Sequence, residues 1–154
     1  MIQIDSREKQ KAIQKILHEF DSQGTMYVTS KLYVGDYMNF DNPRLVIDRK
    51  QNLQELCRNV CQDHKRFIGE IKRAKEAGIK LVFLCEHGNK IQTLSDVEEW
   101  VNPRLKISKM AVSGERLYKI LSTIQCKYGV KFLFCSKDQT GKKILELLGG
   151  ETND

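Results

Sequence analysis

Asp36, Asp48 and Lys50 are the residues whose types and spacing suit a reaction. They fall in one stretch: Gly35-Asp36-Tyr37, then, after Ile47, Asp48-Arg49-Lys50. Hydrolysing a phosphodiester at neutral pH requires an activated water and compensation for charge on the phosphoryl oxygens. Mg²⁺ or Mn²⁺ supplies both, and Mg²⁺ is held through one or two carboxylates plus waters. A lysine beside the metal orients or deprotonates the water, or holds a phosphate as a point charge. Two acids and a lysine in this stretch therefore point to a metal-dependent phosphodiesterase site.

The elements that must position this set are strands. Val34 and Gly35 lead into Asp36, and Asp41-Asn42-Pro43 is turn chemistry. Strand three is expected over Tyr37 to Phe40 and strand four over Arg44 to Asp48. Leu45-Val46-Ile47 is an apolar run that fits a buried strand. Alternate side chains of a strand share a face, so Asp48 and Lys50 point one way and Arg49 the other. Asp36, on the neighbouring strand, meets Asp48 across the pair. A turn aspartate after a glycine explains Asp36 alone, and a polar strand end explains Asp48 alone. Neither explains both acids together with the lysine.

Upstream, Met1 to Asp5 alternates weakly as strand one. Asp5 or Ser6 then caps a helix from about Glu8 to Gln23, with Ala12, Ile13, Ile16, Leu17 and Phe20 as its apolar stripe and Gly24 as its stop. Asp5 with Glu8 fits a capping box, which needs no catalysis. Equally, Asp5 or Glu8 fits as a third acid that holds a second metal or the substrate side.

Gly-Asp, a short spacer and acid-Arg-Lys resemble the signature of the XPF-type structure-specific endonuclease domain, in the PD-(D/E)XK nuclease superfamily. Ile4-Asp5-Ser6-Arg7-Glu8 is similar to that family's opening strand and D-x-R-E segment. The resemblance covers residues 2 to 86 well and the rest in general plan. The family's usual Glu is Asp48 here, and its Asp four residues after the lysine is Gln54, with Glu55 beside it. The resemblance implies a restriction-endonuclease-like fold and Mg²⁺ or Mn²⁺ held by Asp36, Asp48 and one of the upstream acids, Asp5 in the first instance. Lys50, Arg49 and Glu8 complete the implied catalytic set. It also implies branched, flap or fork DNA as substrate. Eukaryotic members carry a C-terminal tandem helix-hairpin-helix module, whereas the layout here is similar to stand-alone bacterial or phage members. A homodimer, or a partner protein supplying a DNA-binding module, follows from the same resemblance.

The rest of the chain alternates helix and strand. Thr25 to Val34 is expected as strand two. From Leu53 a helical stripe of Leu56, Val60, Phe67, Ile71 and Ala74 runs to Glu76, as one helix or as two weakened at Asp63-His64 and Gly69. Arg58, Lys65 and Lys72 recur every seven residues and, with Arg7, are candidate phosphate contacts. A solvated helix face is the plainer reading. Ile79 to Cys85 is a buried strand closed by Glu86, a candidate to support the site. Ser95 and Glu98 suggest a capping box for a short helix around Val97 to Trp100. Asn102 to Met110 is a loop carrying Arg104, Lys106 and Lys109, which suit DNA. Ser113 opens a helix, Lys131 to Cys135 is the last strand, and Thr140 caps a final helix. The expected result is a single α/β (α+β) domain over 1–150, a central mixed sheet flanked by helices, with 151–154 fraying.

Composition agrees with that class. The 154 residues are 40% hydrophobic and contain no stretch that could span a membrane. A net charge of +6 and a pI near 9.1 favour an anionic partner, DNA first. Five cysteines without a secretion signal suggest reduced thiols in the cytoplasm of a bacterial or phage-infected cell, or in a nucleus if the source is eukaryotic. Cys57, Cys61 and His64 share helical spacing, but no second ligand pair follows, so core packing is favoured over zinc. Two other functional classes fit: a catalytically inactive nucleic-acid-binding module on the same fold, and a protein-interaction domain.

Overall fold

The computed structural model describes residues 1–88 and 90–150. Six strands make one mixed sheet: β1 (Ile2–Ile4), β2 (Tyr27–Thr29), β3 (Tyr37–Asn39), β4 (Asn42–Lys50), β5 (Lys80–Glu86) and β6 (Lys131–Cys135). Their order is β2-β1-β3-β4-β5-β6. The β1–β3 and β3–β4 pairs are antiparallel, and the β1–β2, β4–β5 and β5–β6 pairs are parallel.

The alternation of β4 decides the layout. Val46, Asp48 and Lys50 face one side of the sheet, where α2 (Leu53–Cys61), α3 (His64–Glu76) and α4 (Gly114–Tyr128) pack. Phe83 lies stacked between Phe67, at 4.8 Å, and Phe132, at 5.2 Å, in that core. Leu45, Ile47 and Arg49 face the other side, where α1 (Gln14–Ser22) and α5 (Thr140–Gly150) close over Ile16, Phe20, Leu84 and Ile144. A sheet covered on both faces needs apolar residues in both registers of its central strands, which is why Leu81 to Cys85 is buried throughout.

Several boundaries move from where the sequence puts them. The first helix starts with a 3₁₀ turn at Gln10–Ile13 and becomes α-helical only at Gln14. The Asp5 side chain is turned to other partners, so neither Asp5 nor Ser6 caps it. Strand two shrinks to three residues, because Leu32 N–H leaves the ladder to donate to the Asp5 carboxylate at 2.8 Å. The long stripe is two helices, parted at Gln62-Asp63, and Asn52 caps the first by accepting from Glu55 N–H at 2.8 Å. Arg58 is thereby separated from Lys65 and Lys72, and the seven-residue repeat makes no continuous face. Thr93 with Asp96, not Ser95 with Glu98, forms the capping box of a 3₁₀ segment at Leu94–Glu99. Ser136 with Gln139 takes the capping role expected of Thr140, which is the first residue of α5. Ser113 caps α4 as expected. The expected frayed tail, 151–154, lies outside the described residues.

Candidate active site

Gly35 sets the approach to the site. Its φ is +72°, and a Cβ there would stand 2.4 Å from Val46 Cγ1 and 3.1 Å from Ile47 O. Only glycine allows both this left-handed turn and this contact with β4. Asp36 follows at the junction of three strands: its N–H donates to Ile47 O at 2.8 Å, and its carbonyl accepts from Asp5 N–H at 2.8 Å. Its Oδ2 accepts from Arg49 N–H at 2.7 Å. The hairpin thus fixes the acid by its backbone and by one carboxylate oxygen.

On β4, Asp48 and Lys50 share a face, and Lys50 Nζ lies 3.1 Å from Asp48 Oδ1. Lys50 Nζ also lies 5.7 Å from the centre of the Phe67 ring and 5.8 Å from that of Phe83, an apolar seat that limits its movement. Burial lowers the affinity of Lys50 for its proton, but the Asp48 carboxylate outweighs this, and the residue remains an ammonium.

A cleft of ~190 Å³ opens here, lined by Asp5, Arg7, Tyr33, Val34, Gly35, Asp36, Asp48, Glu70 and Arg73. Burial raises the carboxyl of Asp36 well above its ordinary value, with the Asp48 and Glu8 charges adding to the effect. Burial likewise pushes Asp48 up to about 8; Lys50 opposes it, and Glu70 adds by charge and by hydrogen bond. The site holds more negative charge than Lys50 alone can balance.

Glu70, from α3, is the residue that sequence reasoning missed. It reads as a solvated acid on a charged helix. Its position three residues after Phe67 and one before Ile71, at the edge of the buried stripe, was the available signal. Arg73, one turn further on, lines the same cleft and lies 6.0 Å from the Tyr33 ring.

The upstream acids separate. Asp5 lines the cleft, but its oxygens are already engaged: Oδ2 accepts from Arg7 Nε at 2.7 Å and Arg7 N–H at 3.2 Å, and Oδ1 from Leu32 N–H at 2.8 Å and Arg7 Nη2 at 3.3 Å. Burial raises Asp5, and these donors more than offset it, so the carboxyl is held below its ordinary value. Glu8 lies on the other side of β4. It accepts from Arg49 Nε at 2.7 Å and from Tyr37 OH at 2.7 Å.

Arg49 points away from Lys50, as strand alternation requires. Its Nη1 donates to Glu86 Oε1 at 2.5 Å, and Thr140 Oγ1 donates to Glu86 Oε2 at 2.6 Å. Arg49 and Glu86 are buried, and the network joins the loop after β1, β3, β4, β5 and α5. It braces the strand that carries Asp48 and Lys50 from behind. Of the other basic candidates, Arg58, Lys65 and Lys72 are exposed on α2 and α3, and Arg104, Lys106 and Lys109 on the 102–112 loop.

The ERCC4 domain family model matches residues 4–148. The chain belongs to the ERCC4 domain family. Two solved structures share its fold: XPF from Aeropyrum pernix (TM-score 0.70, 19% identity, covering 98% of this chain) and XPF from Aeropyrum pernix in complex with DNA (TM-score 0.68, 19% identity, covering 99%). The ERCC4 domain described here spans 64% of the length of each of those chains. No curated protein matches it by sequence. Among the described residues no helix is long and apolar enough to cross a membrane.

Proposed function

We propose that this ERCC4 domain is a metal-dependent DNA endonuclease that hydrolyses phosphodiester bonds at the Asp36–Asp48 cleft. The observation that carries this reading is the meeting of half-buried Asp36 and buried Asp48, both raised by burial first and by neighbouring acids second, beside a seated ammonium. Asp36, Asp48 and Glu70 outnumber the one ammonium seated among them, and the donors they offer are hard oxygens, which suits Mg²⁺ or Mn²⁺. Among the described residues no three His, Cys, Asp or Glu converge as a ligand group. A Mg²⁺ site with one or two carboxylates, waters and a substrate phosphate does not need three.

Asp36 and Asp48 would hold the metal, which when bound supplies a nucleophilic water and charge compensation at the phosphoryl oxygens. Lys50, held as an ammonium, serves as a cation for the phosphate or the water and not as the base. Glu70 stands beside Asp48 and orients it. Between the two upstream candidates, Asp5 lies on the cleft and Glu8 behind the strand; Asp5 is better placed to face substrate, with Arg7 and Arg73 as phosphate contacts. Glu8 and Arg49 hold the strands in place.

The family match, the fold shared with a DNA-bound relative and the charge of +6 support DNA as substrate. Flap or fork DNA is the favoured form, read together with a partner or a second copy. The second reading, a non-cleaving DNA-binding module, draws on Gln54, an amide four residues after Lys50 where the resemblance leads one to expect an acid. Labelled duplex, single-stranded, 3′-flap and fork DNA incubated in Mg²⁺, Mn²⁺ and EDTA separates the two. Metal-dependent cleavage supports the nuclease; salt-sensitive binding with no cleavage in any metal supports the module.

A further inference from the structure

A second cleft, of ~640 Å³, lies between α2 and the loop that follows Trp100. Cys57, Arg58 and Cys61 of α2 stand on one wall, and Arg104, Met110 and Val112 of the loop on the other. Among the described residues no carboxylate lines it. Arg58 and Arg104 line the cleft, and Arg104 and Arg116 both lie close enough to Cys57 to act electrostatically on its thiol. Among the described residues none of the three forms an ion pair.

The loop is built rather than slack. Asn102 is buried; its Nδ2 donates to Val112 O at 2.8 Å, and its Oδ1 accepts from Arg104 N–H at 3.0 Å. One amide thus ties the two ends of the loop and sets the start of its 3₁₀ turn, Pro103–Lys106. The cleft carries apolar groups as well: Cys57, Cys61, Met110 and Val112, with Met110 itself 87% exposed. Gathered cations without acids call for an anion. An apolar lining beside them calls for a ligand that also carries an apolar group.

We infer that this cleft binds a single-stranded DNA segment, Arg58 and Arg104 taking its phosphates and the Met110 side an unstacked base. Duplex DNA hides its base faces in the stack, so its backbone could use the guanidiniums but not the apolar lining. The cleft lies on the sheet face that carries Asp48 and Lys50, and α2 begins three residues after Lys50. The inference rests on the nuclease reading for its purpose but not for its test.

The test is fluorescence anisotropy of a labelled oligothymidylate and a labelled duplex of the same length, in EDTA so that nothing is cleaved, across a salt series. The whole chain is compared with Arg58→Ala/Arg104→Ala and with Met110→Ala, each checked for an unchanged melting temperature. The double variant should bind single strand on the order of tenfold more weakly, with its salt slope smaller by about 1.4, at ~0.7 for each phosphate no longer neutralised. Met110→Ala should weaken single-strand binding and leave duplex binding unchanged. Single-strand affinity unchanged in the double variant, or single-strand and duplex affinities falling alike in both variants, would overturn the inference. Either result, with fork binding and metal-dependent cleavage intact, would leave the nuclease reading standing. A chain that binds no DNA of any form would remove both.

Discussion

Replacing Arg49 by methionine tests the brace behind the active-site strand. Arg49 is 4% exposed at its side chain, and its partners Glu8 and Glu86 are 10% and 5% exposed. Arg49→Met keeps the apolar stem and removes all donors, leaving two nearly buried carboxylates facing each other. Breaking a buried ion pair from one side costs about 3–5 kcal/mol, because the partner charge remains without compensation. For a domain of this size that is a fall in melting temperature of roughly 6–20 °C. The assay is urea unfolding of the wild type, Arg49→Met, and Arg49→Met with Glu8→Gln and Glu86→Gln, at constant slope. The triple variant should recover most of the loss, since no charge is then left buried and alone. A loss under about 1 kcal/mol for Arg49→Met, or further loss in the triple variant, would refute the argument.

Other outcomes follow from the site. Asp48 has a folded-state value above its unfolded one, so the stability it contributes is full below about pH 4 and lost as pH rises through about 8. In EDTA, Asp48→Asn should therefore gain stability relative to wild type between pH 5 and pH 8, read from melting curves; a constant difference would contradict the assignment. Glu70→Gln should weaken Mn²⁺ binding by about tenfold, as loss of a group orienting a ligand does, measured by titration with Mn²⁺ alone; unchanged affinity would place Glu70 outside the site. Gly35→Ala should destabilise by roughly 2 kcal/mol or more, from the left-handed backbone and the contact with Val46; a neutral urea midpoint would show that the turn relaxes freely.

Strand alternation made much of this legible in advance. It placed Asp48 and Lys50 together and Arg49 opposite, because a period of two leaves no other choice on a regular strand. The cap at Ser113 and the strand at β6 were readable for similar local reasons, whereas the stripe after Leu53 read equally as one helix or two, and packing parts it at Gln62-Asp63. What was not readable depends on contacts distant in sequence. Asp5 with Glu8 matches a capping box, yet the Asp5 carboxylate is taken by Arg7 and by Leu32, and Glu8 by Arg49 and Tyr37. Thr140 reads as a cap and instead supports Glu86 from another element. Glu70 enters the site only because α3 folds back over β4. Local pattern names the acids; tertiary packing decides which of them face the cleft.

Whether Asp36 and Asp48 carry a metal-dependent reaction is decided by cleavage of a labelled fork in Mg²⁺ by the wild type, Asp36→Asn and Asp48→Asn, with binding in EDTA recorded on the same samples. Cleavage should be confined to the wild type and abolished by EDTA, with both variants folded and still binding DNA. Metal-dependent cleavage retained by a purified Asp36→Asn protein would contradict that expectation.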